Sequence, residues 1–488
     1  MIGRASEIKR LEKIYCSKEA EFLVIYGRRR IGKTFLIRQF FESKKSPFFQ
    51  VTGSQMGTLK KQLTHFADSL STTFMRGVMI QTLKTWEDAF KVLTQFMDAH
   101  NTQEKITLFL DELPWLATPR SGLLEALDYY WNHHWVRNPK IILVVCGSSA
   151  SWLIKNIIYN PGGLHNRCTA EIKLLPFTLA ETEKFFQSRG ISLKRAQILD
   201  LYMALGGVPY YLTYVEKGLT ATENIQKILC DSNAPLHDEF TKLFRSLFKN
   251  AEAYKDLVRL IAGHREGVLR SDLEKKEKHV QGGGRLTAQL KQLEQTNFIA
   301  SYVPWGKERG ECYKVIDEFC LFWLHWLEHS KAKERLGDFW VKQTQKPSYH
   351  AWAGYAFEAI CHKHIAQIVS ALQIQSAESV STWRLTGKKP ILLPLEVGVE
   401  RSGAQIDLLI DRTDDAITLC EIRYTSSPFV MTQACAAILK KKIEVFQAVT
   451  ETKKHIFMAL ISANGAQENQ AFHDVISRSI GVNALFEG

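Results

Sequence analysis

An uninterrupted apolar run, Phe22-Leu-Val-Ile-Tyr26, stops at a glycine. A basic loop, Gly27-Arg28-Arg29-Arg30-Ile31-Gly32-Lys33-Thr34, then leads straight into the helix-like segment Phe35 to Phe41. The run reads as a strand buried on both faces, so it needs neighbouring strands and a layer above and below. Glycines at 27 and 32 let the backbone turn sharply and aim N–H groups inward, while the following helix presents its positive end. Lys33, at this offset, reaches outer phosphates, and Thr34 offers a hydroxyl to Mg²⁺. An accidental glycine-rich turn would explain the glycines but not the Lys-Thr pair. The spacing therefore predicts a cradle for a nucleoside triphosphate and Mg²⁺ over residues 27–34.

Two further runs, Ile106 to Leu110 and Ile141 to Cys146, alternate with helix-like segments such as Thr85 to Ala99 and Leu123 to Trp135. Strands alternating with helices predict an α/β fold with a parallel sheet covered on both faces. The second run ends in Asp111-Glu112. Asp111 is placed to organise the magnesium shell and Glu112 to polarise the attacking water, although either could instead cap a helix. The third run ends in Gly147-Ser148-Ser149, where Ser149 either reaches the γ-phosphate or the lytic water, or caps the helix that begins near Ser151. Arg167, in Gly162-Gly-Leu-His-Asn-Arg167, is either a transition-state clamp acting in cis or in trans, or a solvated loop residue.

Pro176 closes this block, giving a P-loop core over 1–175. Leu179 to Arg189, Lys194 to Leu205 and the turn Gly206-Gly-Val-Pro209 predict a helical lid over 176–250. From 251 to 330 the pattern is three short helices and a hairpin, the order of a winged helix-turn-helix. Its candidate recognition helix, Arg285 to Gln295, carries Arg285, Gln289 and Gln292 as polar readers and Lys291 as a backbone contact. Between residues 255 and 291 nine Lys or Arg face five Asp or Glu. The polar stretch 331–348 reads as a linker, and 349–488 as a final α/β region. There Glu358 lies on a helix, Asp407 in an apolar strand, and Glu421-Ile-Arg423 in the next strand, with Glu421 and Arg423 on one face.

The whole chain has 488 residues and a net charge of +12, from 63 Lys plus Arg against 51 Asp plus Glu. That surplus suits a polyanionic partner such as DNA. Nine cysteines with no CxxC pair suggest neither a zinc ribbon nor a disulfide framework, and Cys361-His362 with His364 lacks a second ligand cluster, so no zinc is expected. The start, Met1-Ile-Gly-Arg-Ala-Ser-Glu, has no signal-peptide core and no stretch is long enough to span a membrane; a cytoplasmic chain with no membrane partner is expected. Lys440-Lys-Lys442 reads as a solvated helix face, or as a track for a phosphate backbone.

With these residues in hand, the first 330 positions resemble the archaeal-type ATPase family, a P-loop branch allied to AAA+ and STAND proteins. The carriers are Ile2-Gly3-Arg4 with Glu7, the loop 27–34, Leu110-Asp-Glu-Leu-Pro114, Gly147-Ser-Ser149 and Gly207-Val-Pro209. The resemblance implies ATP as the nucleotide, Gly3 and Arg4 near the adenine side, and Pro209 in a lid element that senses nucleotide state. The last region is similar to the PD-(D/E)xK nuclease fold, which implies a second Mg²⁺ held by Glu358, Asp407 and Glu421. The departure is Arg423 where that pattern has Lys, because a guanidinium does not readily take a proton from water. Three functions follow as expectations. One is an ATPase whose cycle controls DNA engagement by the winged helix and the nuclease-like region. The others are a STAND-like switch that binds a protein partner or self-assembles without cutting, and an active ATP-dependent nuclease.

Overall fold

The apolar run after residue 21 is hydrophobic at every position because both its faces are covered. In the computed structural model, which describes residues 2–487 apart from 79, 81, 101–102, 160–161, 165, 265–266, 277–282, 308–309, 331–334, 336 and 386–403, it is strand β1 (Glu21–Tyr26). With β2 (Phe48–Thr52), β3 (Ile106–Asp111), β4 (Ile141–Gly147) and β5 (Ala170–Lys173) it forms a parallel five-stranded sheet in the order β2-β3-β4-β1-β5. Alternate residues feed two separate cores. Phe22, Val24, Leu108, Leu110, Leu143 and Val145 enter one, while Leu23, Ile25, Phe109, Ile142, Val144 and Cys146 enter the other. Each such fully buried side chain contributes about 1.5–3 kcal/mol relative to exposure, so the sheet is pinned from both faces. The order places β1 between β4 and β5, and the carboxyl ends of β1, β3 and β4 together at one edge of the sheet.

The chain falls into two compact units, residues 1–176 with 288–297, and residues 177–287 with 298–488. The second unit opens with the helices Leu179–Ser188, Arg195–Leu205 and Pro209–Leu212. The first is fixed by a capping box, in which Thr178 accepts from the Glu181 N–H and Glu181 accepts from the Thr178 N–H. Further on come the helices Ala251–Ala262, Arg270–Lys276 and Gly284–Gln295. Strands β6 (Val268–Leu269), β7 (Ile299–Tyr302) and β8 (Cys312–Val315) pair antiparallel in the order β6-β8-β7. Gln289, expected as a polar reader on the helix 284–295, is buried: it lies three residues from Leu286 and four from Leu293, on the apolar face, whereas Arg285 and Lys291 are exposed.

The segment 331–348, expected as a polar linker, carries the helix Phe339–Thr344 and buries Trp340, whose N–H donates to Gln226 Oε1 at 2.7 Å. Trp340 packs with Phe322, Trp326 and Trp352, so an aromatic cluster and not a spacer fills this stretch; residues 331–334 and 336 lie outside the described ones. The next helix, Pro347–Lys363, precedes a mixed sheet of β9 (Ala377–Leu385), β10 (Ala404–Arg412), β11 (Ala416–Arg423), β13 (His455–Ser462) and β15 (Arg478–Gly481), ordered β15-β13-β11-β10-β9. A small pair, β12 (Phe429–Val430) and β14 (Ala466–Gln467), stands apart from it. The helix Gln433–Thr450 covers the sheet with Leu439 and Phe446, which join Trp383, Leu409 and Leu460 in its core. Among the described residues no helix is long and apolar enough to cross a membrane.

Candidate functional site

The loop after β1 is shaped by its glycines. Gly27 has φ 149°, and a Cβ there would collide with the Leu174 carbonyl oxygen, so no other residue fits without displacement. Arg30 (φ 71°) and Gly32 (φ 90°) continue the left-handed turn into the helix Lys33–Glu42. Lys33 is buried, and its ammonium donates to the carbonyls of Gly27 and Arg28, both at 2.9 Å. The cation is thus held against the inside of its own loop. Arg28 and Ile31 are buried while Arg29 and Arg30 are partly exposed. Arg4, itself at φ 64°, donates to the Ile31 carbonyl at 3.0 Å and the Leu175 carbonyl at 2.6 Å, which ties the segment holding Gly3 to the loop.

Asp111 ends β3 beside this loop. Its Oδ2 accepts from the Thr34 hydroxyl at 2.9 Å and from the Thr52 hydroxyl at 3.4 Å, and its Oδ1 from the Glu112 N–H at 3.1 Å. Glu112 adopts φ 48°, which turns its side chain out of the strand direction. Its Oε2 accepts from both the N–H (3.1 Å) and the hydroxyl (3.0 Å) of Ser148 at the end of β4. Burial pushes the Glu112 carboxyl above its ordinary range, against the pull of Lys33 and the Ser148 bonds. The Cys146 thiol beneath is driven well up, by burial first and then by Asp111.

Ser148 is therefore the serine that meets Glu112. Ser149 stands one residue on, at the start of the helix Ala150–Leu153, with no side-chain cap bond. The strand register alone would not have found it: extending Leu110 opposite Val145 sets Glu112 beside Gly147, and the carboxylate meets Ser148 where Glu112 leaves the strand conformation at φ 48°. Arg167 is exposed, and its Nε donates to the Gly163 carbonyl of its own loop at 3.4 Å. Pro209 opens the helix Pro209–Leu212 after a turn in which Gly206 has φ 62° and Gly207 packs against the Phe177 backbone.

The oxygens of Thr34, in the first turn of the helix, and Asp111, at the end of β3, lie 2.9 Å apart and are hard donors of the kind Mg²⁺ takes alongside substrate phosphates, so the residues fit that ion. A glycine-rich turn, an inward lysine and two adjacent carboxylates at a parallel-sheet edge form one constellation. Residues 1–215 match the family described as an ATPase domain predominantly from Archaea. These residues are an archaeal-type ATPase domain. The fold is similar, over 67% of this chain and 96% of the other, to that of a Walker-type ATPase of Pyrococcus abyssi, at 19% identity and TM-score 0.50. An uncharacterised protein of Methanocaldococcus jannaschii is 25% identical over 75% of this chain and 77% of its own. An uncharacterised ATP-binding protein of the same organism is 43% identical over 9% of this chain and 75% of its own.

Outside the ATPase domain, Glu358, Asp407 and Glu421 border one cavity of about 370 Å³. They are not drawn into a cation cage. Glu421 is held by Lys442 at 2.7 Å and Arg423 at 2.5 Å, and Glu358 pairs with Lys314 at 2.7 Å. Among the described residues no group of three or more His, Cys, Asp or Glu is gathered for a metal. As arranged, the three carboxylates do not fit the second Mg²⁺. Asp407 accepts from the Ile422 N–H at 3.0 Å, and burial, with Glu421 and Glu358 nearby, lifts it to about 7. His364 takes a bond from the Leu179 N–H at 3.3 Å and meets the Ile360 carbonyl at 2.8 Å, and burial lowers its pKa.

Proposed function

We propose that the chain binds ATP with Mg²⁺ and hydrolyses it, and that this cycle controls how a winged helix formed by 251–330 and a nuclease-like region over 349–488 engage DNA. The observation that carries the reading is the chain of contacts Thr34–Asp111–Glu112–Ser148 beside the buried ammonium of Lys33. On binding, Lys33 exchanges the Gly27 and Arg28 carbonyls for the outer phosphates, while the loop N–H groups between Gly27 and Thr34 receive the rest of the chain's charge. Thr34 and Asp111 would hold Mg²⁺, which would supply charge neutralisation on the phosphates. Glu112 then takes a proton from the attacking water, with Ser148 fixing the carboxylate's direction. Arg167 is the candidate guanidinium for the transition state, from its own chain or a second copy, and Ser149 the candidate for the γ-phosphate. The local surplus of basic residues between 255 and 291 supports contact with DNA.

A second reading is an ATP-dependent switch that recognises a partner without cutting. It is favoured by Glu421, whose charge is already taken up by Lys442 and Arg423. Turnover with and without DNA in wild type, Glu112→Gln and Asp407→Ala, with cleavage followed in the same reactions, separates them. DNA-stimulated turnover lost in Glu112→Gln is the expected result. Absence of both stimulation and cleavage would replace the DNA reading by the partner switch.

A further inference from the structure

A second cavity, of about 280 Å³, opens between the β7–β8 hairpin and the edge of the C-terminal sheet. Tyr302 gives it an aromatic wall, the buried Trp383, packed on Phe446, also borders it, and Lys307 and Arg384, both exposed, stand at its rim. Lys314 lies deeper, bound to Glu358; Asp272 is the other acidic group. Glu358 and Gln405 also line the 370 Å³ cavity that holds Asp407, Glu421, Arg423 and Lys442, so the two recesses share a wall.

Aromatic faces beside cations are what unpaired bases and their phosphates require, because every base offers a π-face and every linkage a charge. A recess this small takes one nucleotide unit and no base pair. We infer that the hairpin cavity binds a nucleotide of single-stranded DNA, base against Tyr302, flanking phosphates on Lys307 and Arg384, and directs the strand toward the neighbouring recess. The inference rests on the DNA reading above and names the form of DNA and its path. The Lys314–Glu358 ion pair stands on the shared wall, so a phosphate that claims Lys314 releases Glu358 into the second recess.

The test is binding of a labelled single-stranded oligonucleotide and of its duplex to the full chain, wild type and Lys307→Glu/Arg384→Glu, at several salt concentrations. Neither residue belongs to the ATP site, so basal ATP turnover stays at the wild-type rate, and an unchanged thermal unfolding profile reports an intact second unit. The expected result is single-strand binding weaker by about tenfold or more, with a salt slope shallower by about 1.4 for two lost phosphate contacts, and duplex binding within about twofold. Equal single-strand affinity in both proteins overturns the inference while leaving the DNA reading in place. A wild type that binds neither form overturns both. If the double variant does not fold, photo-crosslinking of a halogenated-uracil strand to wild type decides: adducts at Tyr302 are expected, and adducts confined to other residues overturn the inference.

Discussion

Glu112 sits where two demands oppose each other. As the proposed general base it must be ionised, yet burial raises its pKa, and Lys33 and the Ser148 bonds pull it partly back. Turnover is therefore expected to fall as pH drops through a value above the ordinary carboxylate range, which a kcat–pH profile reads directly. Glu112→Gln should lower kcat by about 10²–10⁴ while nucleotide still binds. Ser148→Ala removes a donor that favours the ionised form, so the acidic limb of the profile should move to higher pH. The loop, Lys33, Thr34, Asp111 and Glu112 were legible in the sequence because their spacing is dictated by phosphate geometry. Ser148 was not singled out over Ser149, because both follow the strand and the left-handed turn at Glu112, which no local pattern announces, takes the carboxylate out of the strand alternation and onto Ser148.

At the scale of elements, continuous apolar runs announced β1, β3 and β4. Strands β2 and β5 are short and half-exposed, with burial alternating along them, and left no comparable signal. The stretch 331–348 misled for a related reason: its polar composition hid Trp340, whose burial depends on Phe322, Trp326 and Trp352 from distant segments. In β10 the pattern showed an aspartate inside an apolar strand but not its environment. Burial beside Glu421 and Glu358 lifts Asp407 to about 7, from about 3.9 unfolded, so the folded state binds the extra proton. Its contribution is most favourable below the unfolded pKa and declines as pH rises toward 7. Asp407→Asn should thus raise Tm at pH 8 and leave it nearly unchanged at pH 4, as thermal unfolding at the two pH values would measure.

On the scale of the whole chain, five regions read from composition and pattern stand against two compact units, because contacts between distant segments do not register in any local window. One such contact joins the helix Arg195–Leu205 to the end of β11: the Tyr424 hydroxyl donates to Asp200 at 2.8 Å, with Tyr349 alongside. Burial lifts Asp200 to about 6, and the tyrosines hold it down from a higher value. Tyr424→Phe is expected to cost about 1–3 kcal/mol at pH 8 and less at about pH 2.5, below the folded and the unfolded pKa, where Asp200 is protonated in both states; denaturant titrations at each pH check it. The tryptophans at 326, 340 and 352 carry the same logic further. They close on one another across segments read as winged helix, spacer and terminal region, so these parts cannot be traded between chains as cassettes without baring indole surface.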